Sequence, residues 1–292
     1  MEIPGAEDRQ REMQEIDEKY PHSYRVFTGI GLVAIAILSG FVFITDSEGY
    51  VANLFTELLS IVVTVAILDT LASIRAEKQL KAQLIREMNS GDNGIAARAA
   101  SEMKARGWGF GQDRSLEKKS FVGANLEYAD LGGANLRSAC MSFVHFQHAN
   151  LSNSNLESAN LWNTNLESAN LINANLTRAK LQQARMQWVH AAGANLSGAN
   201  LMGADLWGAV LWAVDLRGAD LRHADLSEAQ FHDALSQYGT PVFDENTFLP
   251  DGTHWTPNSD LTVFTNPSHP IFWRSDVPHL AAHERRFKKR TE

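Results

Sequence analysis

Histidine, cysteine and carboxylate side chains are the first residues to test for chemistry, because their spacing can reveal a metal site or a catalytic group. His279 and His283 lie four residues apart, which would place two imidazoles on one face of a helix. A zinc protease helix also needs the glutamate of the HExxH motif, which is missing here, and Pro278 shortens any helix at this point. We therefore interpret the histidine pair as a coincidence.

Other motifs of catalysis are also missing. Cys140 is the single cysteine of the chain, so the sequence predicts neither an intramolecular disulfide nor a cysteine-based metal site. No GxxxxGK(S/T) phosphate loop occurs, and Gly29 lies in an apolar segment. Glu57 and Asp69 suggest ion conduction, but they lie near opposite ends of an apolar segment, which favours interfacial roles. We predict no enzyme, no cofactor and no metal.

A five-residue repeat occupies the middle of the chain. From Phe121 to Phe231 every fifth residue is large and apolar, almost always Leu, and Ala191 is the one exception. Two residues before each of these centres lies Ala, or less often Val, Ser or Thr, and the residue between is mostly Asn or Asp. Such a period has to be interpreted first, because it decides the fold.

The repeat predicts a coil with corners. Residues two apart on an extended chain point to the same side, so the Ala and the Leu point inward and the Asn or Asp points outward. The next Ala comes three residues after the Leu, so the chain has to turn once in every repeat. Neither a helix of period 3.6 nor a heptad coiled coil has a strict period of five.

The A-(N/D)-L-x-x pattern resembles the pentapeptide-repeat proteins. The resemblance covers Phe121 to Phe231 and implies an all-β solenoid, a right-handed four-sided β-helix with four repeats in each coil. With coils about 4.8 Å apart, the 23 centres predict nearly six coils and a rod of about 28 Å. Val189 stands at the inward Ala position before Ala191, so large and small are exchanged and the local core volume is kept. We expect the Asn side chains to bond the backbone at corners or between coils.

Two apolar segments precede the repeat. Phe27–Ile44 is uncharged over about the 18 residues that a membrane span needs, and Leu54–Leu71 is of similar length. The loop Asp46–Asn53 has no Lys or Arg, whereas both flanks do, which predicts cytoplasmic flanks. We therefore expect a cytoplasmic segment at residues 1–25 and a transmembrane hairpin at residues 26–72, while a buried soluble role for the second segment stays open.

Small residues mark one side of the first apolar segment. Gly29, Ala36 and Gly40 share a helix face, which permits close helix packing. They would pack against the second segment of the same chain or, alternatively, form a homo-oligomer.

The remaining segments are predicted to be a stalk and a cap. Residues 73–120 include an amphipathic helix at Ser73–Asn89 and, after a stop and an N-cap within Ser90–Asn93, a second helix that ends near Arg106. Its predicted inward residues are Ile95, Ala96, Ala99, Ala100 and Met103. Residues 232–292 hold six of the eight prolines and a basic end, which indicates a C-terminal cap and a solvated tail. This whole arrangement resembles a type of bacterial pentapeptide-repeat protein with an N-terminal membrane hairpin.

Tryptophan supplies the candidate docking residues. Trp162, Trp188, Trp207 and Trp212 take outward positions, and Trp188 and Trp207 are 19 residues apart, which predicts neighbouring coils near one corner. An exposed cluster of Trp188, Trp207 and Trp212 would make a docking patch for a protein partner. The alternatives are simple stacking on the coil surface and contact with the C-terminal cap.

These observations favour a membrane-anchored scaffold with no catalytic activity, in a bacterial plasma membrane, with two spans and both termini in the cytoplasm. Its expected partners are the lipid bilayer and an unknown protein, with no nucleic acid. One alternative comes from the family, some members of which mimic DNA and protect DNA gyrase from quinolones. Residues 121–231 carry 9 acidic and 6 basic side chains, which is weakly acidic for that role. The other alternative is a subunit of an oligomeric channel or transporter.

Overall fold

The computed structural model describes residues 50–231, 241–266 and 268–271. It contains α1 (Tyr50–Met88), α2 (Asn93–Ala105), a solenoid of short turns, and α3 (Thr262–Thr265). The chain divides into two compact units, residues 1–80 and 81–292. The predicted span Phe27–Ile44 lies outside the described residues, together with three other features of the sequence: the face of Gly29, Ala36 and Gly40, the pair His279 and His283, and the basic tail.

Helix α1 is one continuous helix of 39 residues, which corrects one sequence prediction. Tyr50–Asn53 is helical rather than part of a loop, and the predicted amphipathic segment from Ser73 onward continues the same helix. The helix contains neither Gly nor Pro. Its hydroxyl side chains donate hydrogen bonds to backbone carbonyls of the same helix. Thr70 donates to the carbonyl of Ala66 at 2.7 Å, and Ser73 donates to that of Thr70 at 2.8 Å. Nothing in this sequence therefore stops the helix before Met88.

Helix α2 starts at a side-chain cap and buries a small-residue face. Asp92 accepts the backbone N–H of Ile95 at 3.0 Å, which satisfies one of the free donors of the first turn. Four of the five predicted inward residues are fully buried: Ala96, Ala99, Ala100 and Met103. Ile95 is 42% exposed, so its predicted inward position is wrong. A one-sided face of three alanines allows close packing in the second unit.

The solenoid repeats with a register of 20 residues. Parallel bridges join each outward residue to the one a coil later, as in Asn135 to Asn155 and Asn155 to Asn175. One turn in every five residues gives four corners in each coil. Among the described residues the pairing consists of isolated bridges and includes no extended strand, because only about three residues separate one corner from the next. The fold is a β-helix solenoid built from turns and single bridges.

The interior is a stack of leucines and alanines. Leu156 and Leu176 are fully buried, and so are Ala191 and Val189, which confirms that the irregular repeat keeps its place in the core. Each complete coil contributes four buried centres, large and apolar except at Ala191, to a densely packed core. The inward positions are thus consumed by packing, and only outward positions can meet another molecule.

Asn and Asp complete the hydrogen bonding of the backbone. In the repeat around Leu151, the N–H groups of Leu151 and Asn153 donate to the next coil, and that of Ser154 closes the corner on the Leu151 carbonyl. The N–H of Ser152 has no backbone acceptor and donates to Oδ1 of Asn150 at 3.1 Å. An Asx turn of this kind recurs through most repeats, which explains why the sequence places Asn or Asp before the Leu.

Each corner requires a residue in the left-handed region. The second residue after every centre has a positive φ from Lys118 to Glu228, and only seven of these 23 positions are glycine. Gly218 has a φ of 65° and Ala213 one of 52°. A positive φ at the third residue is what a type II turn demands, and it costs a residue with a Cβ atom more than glycine.

Both ends of the solenoid extend beyond the sequence pattern. Leu116 is fully buried as an extra centre before Phe121, and the pattern hid it because Arg114 replaces the small residue two positions earlier. The first coil is covered by backbone partners before it, since the N–H of Asn125 donates to the carbonyl of Ser90 at 2.8 Å. At the other end, Asp225 bridges Phe248 in the last coil. These partners satisfy edges that an open solenoid would leave unpaired.

Candidate functional site

Trp188 and Trp207 form one contact at a corner of the solenoid. Their ring centroids lie 4.4 Å apart in an edge-to-face arrangement with an angle of 83°. The ring of Trp188 lies over Gly208, where an added Cβ would approach it to 2.8 Å. The 19-residue spacing therefore predicted the neighbourhood of the two rings correctly. Both are half-buried, because each covers part of the other.

Trp212 lies one side further along the coil and has its own partners. Its indole Nε1 donates to Oε1 of Gln230 at 3.1 Å, and its ring centroid is 6.5 Å from that of His190. The structure thus places the three predicted docking residues as a pair and a separate indole. All three have packing roles on the coil surface, and their role as a docking patch stays a prediction.

A second aromatic pair, which sequence reasoning missed as a site, is more exposed. Phe143 and Trp162 meet edge to face at 4.8 Å, and they are 44% and 39% exposed. The pair has the same 19-residue spacing as Trp188 and Trp207, so the same signal could have found it. Tyr128 and His148 stack at 4.9 Å on another corner.

Charged side chains pair locally around the last coil. Arg217 bonds Asp215 and Arg222 bonds Asp220, each pair within one repeat. The hydrogen bond from the Arg217 guanidinium holds the pKa of Asp215 below its usual range, and Arg222 does the same for Asp220. The same two carboxylates accept the backbone N–H of their arginine, so they act as the Asx residue of the corner.

The described part of the chain contains no group of three or more His, Cys, Asp or Glu side chains arranged to hold a metal ion. Cys140 is exposed on one side of the solenoid. Glu57 and Asp69 are both exposed on α1.

Apolar side chains are exposed along the first part of α1. Ile61 and Val65 are each 59% exposed, and the most apolar 18-residue stretch of the helix contains no buried residue. Within the described residues, the stretch Thr56–Met88 is the one helix long and apolar enough to cross a membrane by length and composition. The core helix of a soluble protein passes the same test of length and composition, but it is mostly buried.

Comparison with known families agrees with the geometry of the coils. The family Pentapeptide repeats matches in eight copies, at residues 120–153, 149–187, 169–208 and 208–234. A comparison with curated proteins gives no match.

Solved structures of the same family are similar to this chain. A pentapeptide repeat protein, Rfr23 from the cyanobacterium Cyanothece 51142, is 31% identical over 44% of this chain and 90% of its own, with a TM-score of 0.25. The pentapeptide repeat protein alr5209 from Nostoc Pcc 7120 is 31% identical over 34% of this chain and 84% of its own, with a TM-score of 0.29. QnrB1, a plasmid-mediated fluoroquinolone resistance protein, is 18% identical over 44% of this chain and 78% of its own, with a TM-score of 0.28.

The register of 20 residues, the buried Leu and Ala columns and the Asx corners coincide with the segment that the family matches. Through residues 120–234 the chain therefore belongs to the pentapeptide-repeat family.

Proposed function

We propose that this protein is a scaffold without catalytic activity, anchored in a membrane by α1 and presenting its solenoid to a protein partner. The observation that carries the proposal is the exposure of large apolar side chains on α1. Each exposed Å² of apolar surface left in water forgoes about 25 cal/mol. A bilayer removes that cost, and eighteen helical residues span about 27 Å, close to the thickness of its apolar core.

The solenoid supports the scaffold half of the proposal. Its inward side chains are fixed by a dense core, so its outward faces keep their geometry when a partner binds. Trp188, Trp207 and Trp212 concentrate apolar area on surfaces that are otherwise Ser, Asn and Gly, and tryptophan is enriched in binding hot spots. The six Lys and Arg side chains at residues 121–231 disfavour the alternative of a DNA mimic.

Anchoring is tested by placing charge in the apolar window of α1. In a chain that lacks residues 1–49, so that the second proposed span Phe27–Ile44 cannot retain it, Val62→Arg together with Val65→Arg should move the protein from the membrane to the soluble fraction, because each arginine near the bilayer centre costs about 2.5–3.5 kcal/mol. Ala76→Arg together with Gln79→Arg, further along the same helix, is the matched control and should stay in the membrane. Retention of the first variant after alkaline extraction would contradict the anchor.

The proposed topology has Phe27–Ile44 as a second span and both termini in the cytoplasm. It is tested in a Cys140→Ser background with a single new cysteine, either Ser47→Cys or Ser227→Cys. An impermeant thiol reagent on intact cells should label position 47 and leave position 227 unlabelled. Labelling at position 227 would overturn this topology.

The docking patch is tested by replacing Trp188, Trp207 and Trp212 together with Ser. Membrane insertion and the circular dichroism spectrum should be kept, while a partner that co-purifies with the wild type should be lost. The matched control replaces the same three residues with Phe, which keeps the ring packing. If the Ser variant unfolds, the tryptophans serve packing alone.

A further inference from the structure

Two opposite faces of the solenoid differ in charge. The first consists of residues 117–123 and their equivalents at 20-residue intervals as far as 217–223, and we name it the basic face. It carries seven Lys or Arg against three Asp or Glu, a net charge of +4. The opposite face runs from 127–133 through the equivalent positions to 227–231, and it carries four Asp or Glu and no Lys or Arg. Although the whole chain has a net charge of −8, seven of the eight Lys and Arg side chains at residues 117–231 lie on this one face.

The cations of the basic face that lack an ion pair are the ones that matter for binding. The three acidic residues of this face each pair with an arginine, as Glu157 does with Arg137 at 3.0 Å. Four exposed cations have no carboxylate oxygen within ion-pair distance among the described ion pairs: Lys118, Lys119, Arg178 and Lys180. The internal pairs therefore leave these four charges available to an anionic partner.

An apolar ridge runs beside these cations along the same face. Val122, Phe143, Trp162 and Met202 project from one corner on coils one, two, three and five, with exposures of 50%, 44%, 39% and 38%. The ten residues at this corner over the first five coils include no charge. The aromatic pair Phe143 and Trp162 lies at the centre of the ridge.

We propose that the basic face binds the surface of an anionic phospholipid bilayer. The four cations would meet the headgroup phosphates, and Phe143 and Trp162 would lie at the level of the headgroups, where amphipathic rings are favoured. The ridge offers four exposed apolar side chains, far fewer than the roughly 20–30 residues that each partner contributes to a specific protein interface. Val122 and Met202 have no ring on which a nucleic-acid base could stack. The inference draws support from the proposed function, since an anchored chain keeps its solenoid near a bilayer.

Cys140 gives a direct test, because the chain's single cysteine is exposed in the middle of the basic face. The full-length chain is labelled there with a polarity-sensitive thiol dye and added to phosphatidylcholine vesicles with or without phosphatidylglycerol. We expect a blue shift of the dye with phosphatidylglycerol, and its loss in high salt because screening weakens attraction at an exposed surface. The matched control carries Cys140→Ser with Ala192→Cys, which moves the label to the opposite face and should abolish the shift.

Two double variants separate the charge from the ridge. Arg178→Glu with Lys180→Glu should raise the anionic lipid concentration needed for the shift by more than about tenfold, because each basic residue near the surface adds attraction. Phe143→Ser with Trp162→Ser should keep binding to anionic vesicles but reduce the blue shift, since the rings no longer hold the face at the interface. Arg185→Glu, off the basic face, is the control for charge reversal. The altered side chains are exposed, and circular dichroism checks that each variant is folded.

Three outcomes would overturn the inference: an equal shift in neutral vesicles, an equal shift with the label at position 192, or a shift caused by duplex DNA but not by vesicles. The last result would assign the face to nucleic acid. Flotation with vesicles of phosphatidylcholine alone measures membrane anchoring by α1, independently of any binding by the basic face. A chain that fails to float with neutral lipid but shifts at Cys140 with anionic lipid contradicts the anchor and supports the basic face.

Discussion

Leucine has opposite surroundings in the two units of this protein. Leu68 on α1 is 59% exposed, whereas Leu176 in the solenoid is fully buried. In the solenoid the chain itself surrounds each leucine, because a corner every five residues turns the apolar side inward. The stretch Leu58–Leu71 of α1 has apolar residues around most of its circumference, and the described chain leaves most of them exposed, whereas Leu84 and Met88 further along the helix are buried. The comparison shows that the period of a pattern decides whether the chain or its surroundings must bury the apolar residues.

The two units also complete their backbone hydrogen bonds differently. A helix pairs its N–H and C=O groups within one segment, which is the condition for standing alone in a bilayer. The solenoid pairs each coil with the next, so its first and last coils need partners, which Ser90 and Phe248 supply. Away from its two ends a helix therefore needs no backbone partner from another segment, whereas every coil of a solenoid needs a neighbouring coil or a cap.

The sharpest test of this contrast places the same carboxylate in both units. Leu176→Asp buries an unpaired charge and should destabilise the solenoid by several kcal/mol. Val65→Asp should leave the thermal unfolding of the solenoid unchanged and should weaken membrane association instead. The measurements are thermal unfolding followed by circular dichroism and the fraction of protein retained in membranes.

Asn163→Asp is the control within the solenoid, because it puts the same charge at an exposed corner. It should have almost no effect on unfolding, since Asp also tolerates a left-handed backbone. Equal destabilisation by Leu176→Asp and Asn163→Asp would refute the inward and outward assignment of the repeat.

A smaller effect is expected from the Asn ladder, which has no counterpart in α1. Asn150 accepts from Ser152 and from Asn170, and donates to Asp130 at 2.9 Å. Asn150→Ala should cost about 1–3 kcal/mol, because the N–H of Ser152 loses its acceptor. Lys180→Ala changes the same position of a different repeat, where no side-chain bond is made, and should cost less in the same denaturant titration. A larger loss from Lys180→Ala would contradict the structural role given to Asn.

Removing a glycine from one corner and adding a glycine at another should change the free energy of unfolding in opposite directions. Gly218→Ala adds a Cβ that meets no atom within 4 Å, so its expected cost of about 1 kcal/mol comes from the positive φ alone. Ala213→Gly relieves the same strain at an exposed corner and should raise stability. Urea unfolding of both variants measures the two shifts, and changes of the same sign would contradict this account.

The smallest expected effect concerns acid. The pKa values of Asp215 and Asp220 are lowered by their arginines, so the stability they contribute is present above the pKa of the unfolded carboxyl, about 4, and is lost as the pH falls through the lower folded value. Asp215→Asn with Asp220→Asn keeps the Asx acceptors and removes the charges. The variant should lose less stability between neutral and acidic pH than the wild type, by less than about 1 kcal/mol because the pairs are exposed. If the free energy of unfolding depends on pH identically in the two proteins, the ion pairs do not contribute to stability.

The repeat was predictable because every fifth residue obeys the same physical requirement. The inward Leu columns, the exchange at Ala191 and Val189 and the outward Asn were all predicted, and the contact of Trp188 with Trp207 followed from their spacing. The resemblance supplied the number of repeats in a coil, which the period alone does not contain.

Other features depend on contacts that a local pattern does not encode. Leu116 belongs to the core although Arg114 breaks the pattern, because the coil above determines its position. Phe248 pairs with Asp225 after an irregular segment, so no fixed period leads to it. The basic face combines residues from six coils and becomes visible only when the register of 20 is known.

The register of 20 residues also constrains how this protein can change its length. An insertion or deletion of 20 residues adds or removes one coil, lengthens or shortens the rod by about 4.8 Å and leaves every later side chain on its original face. An insertion or deletion of five residues keeps the core pattern but rotates all later coils by a quarter turn. An insertion before Lys180 would therefore move Lys180 from the basic face to the adjacent side of the solenoid. Duplication of one pentapeptide is thus silent for folding and disruptive for any surface that spans several coils. Evolution of the surface should proceed in steps of four repeats.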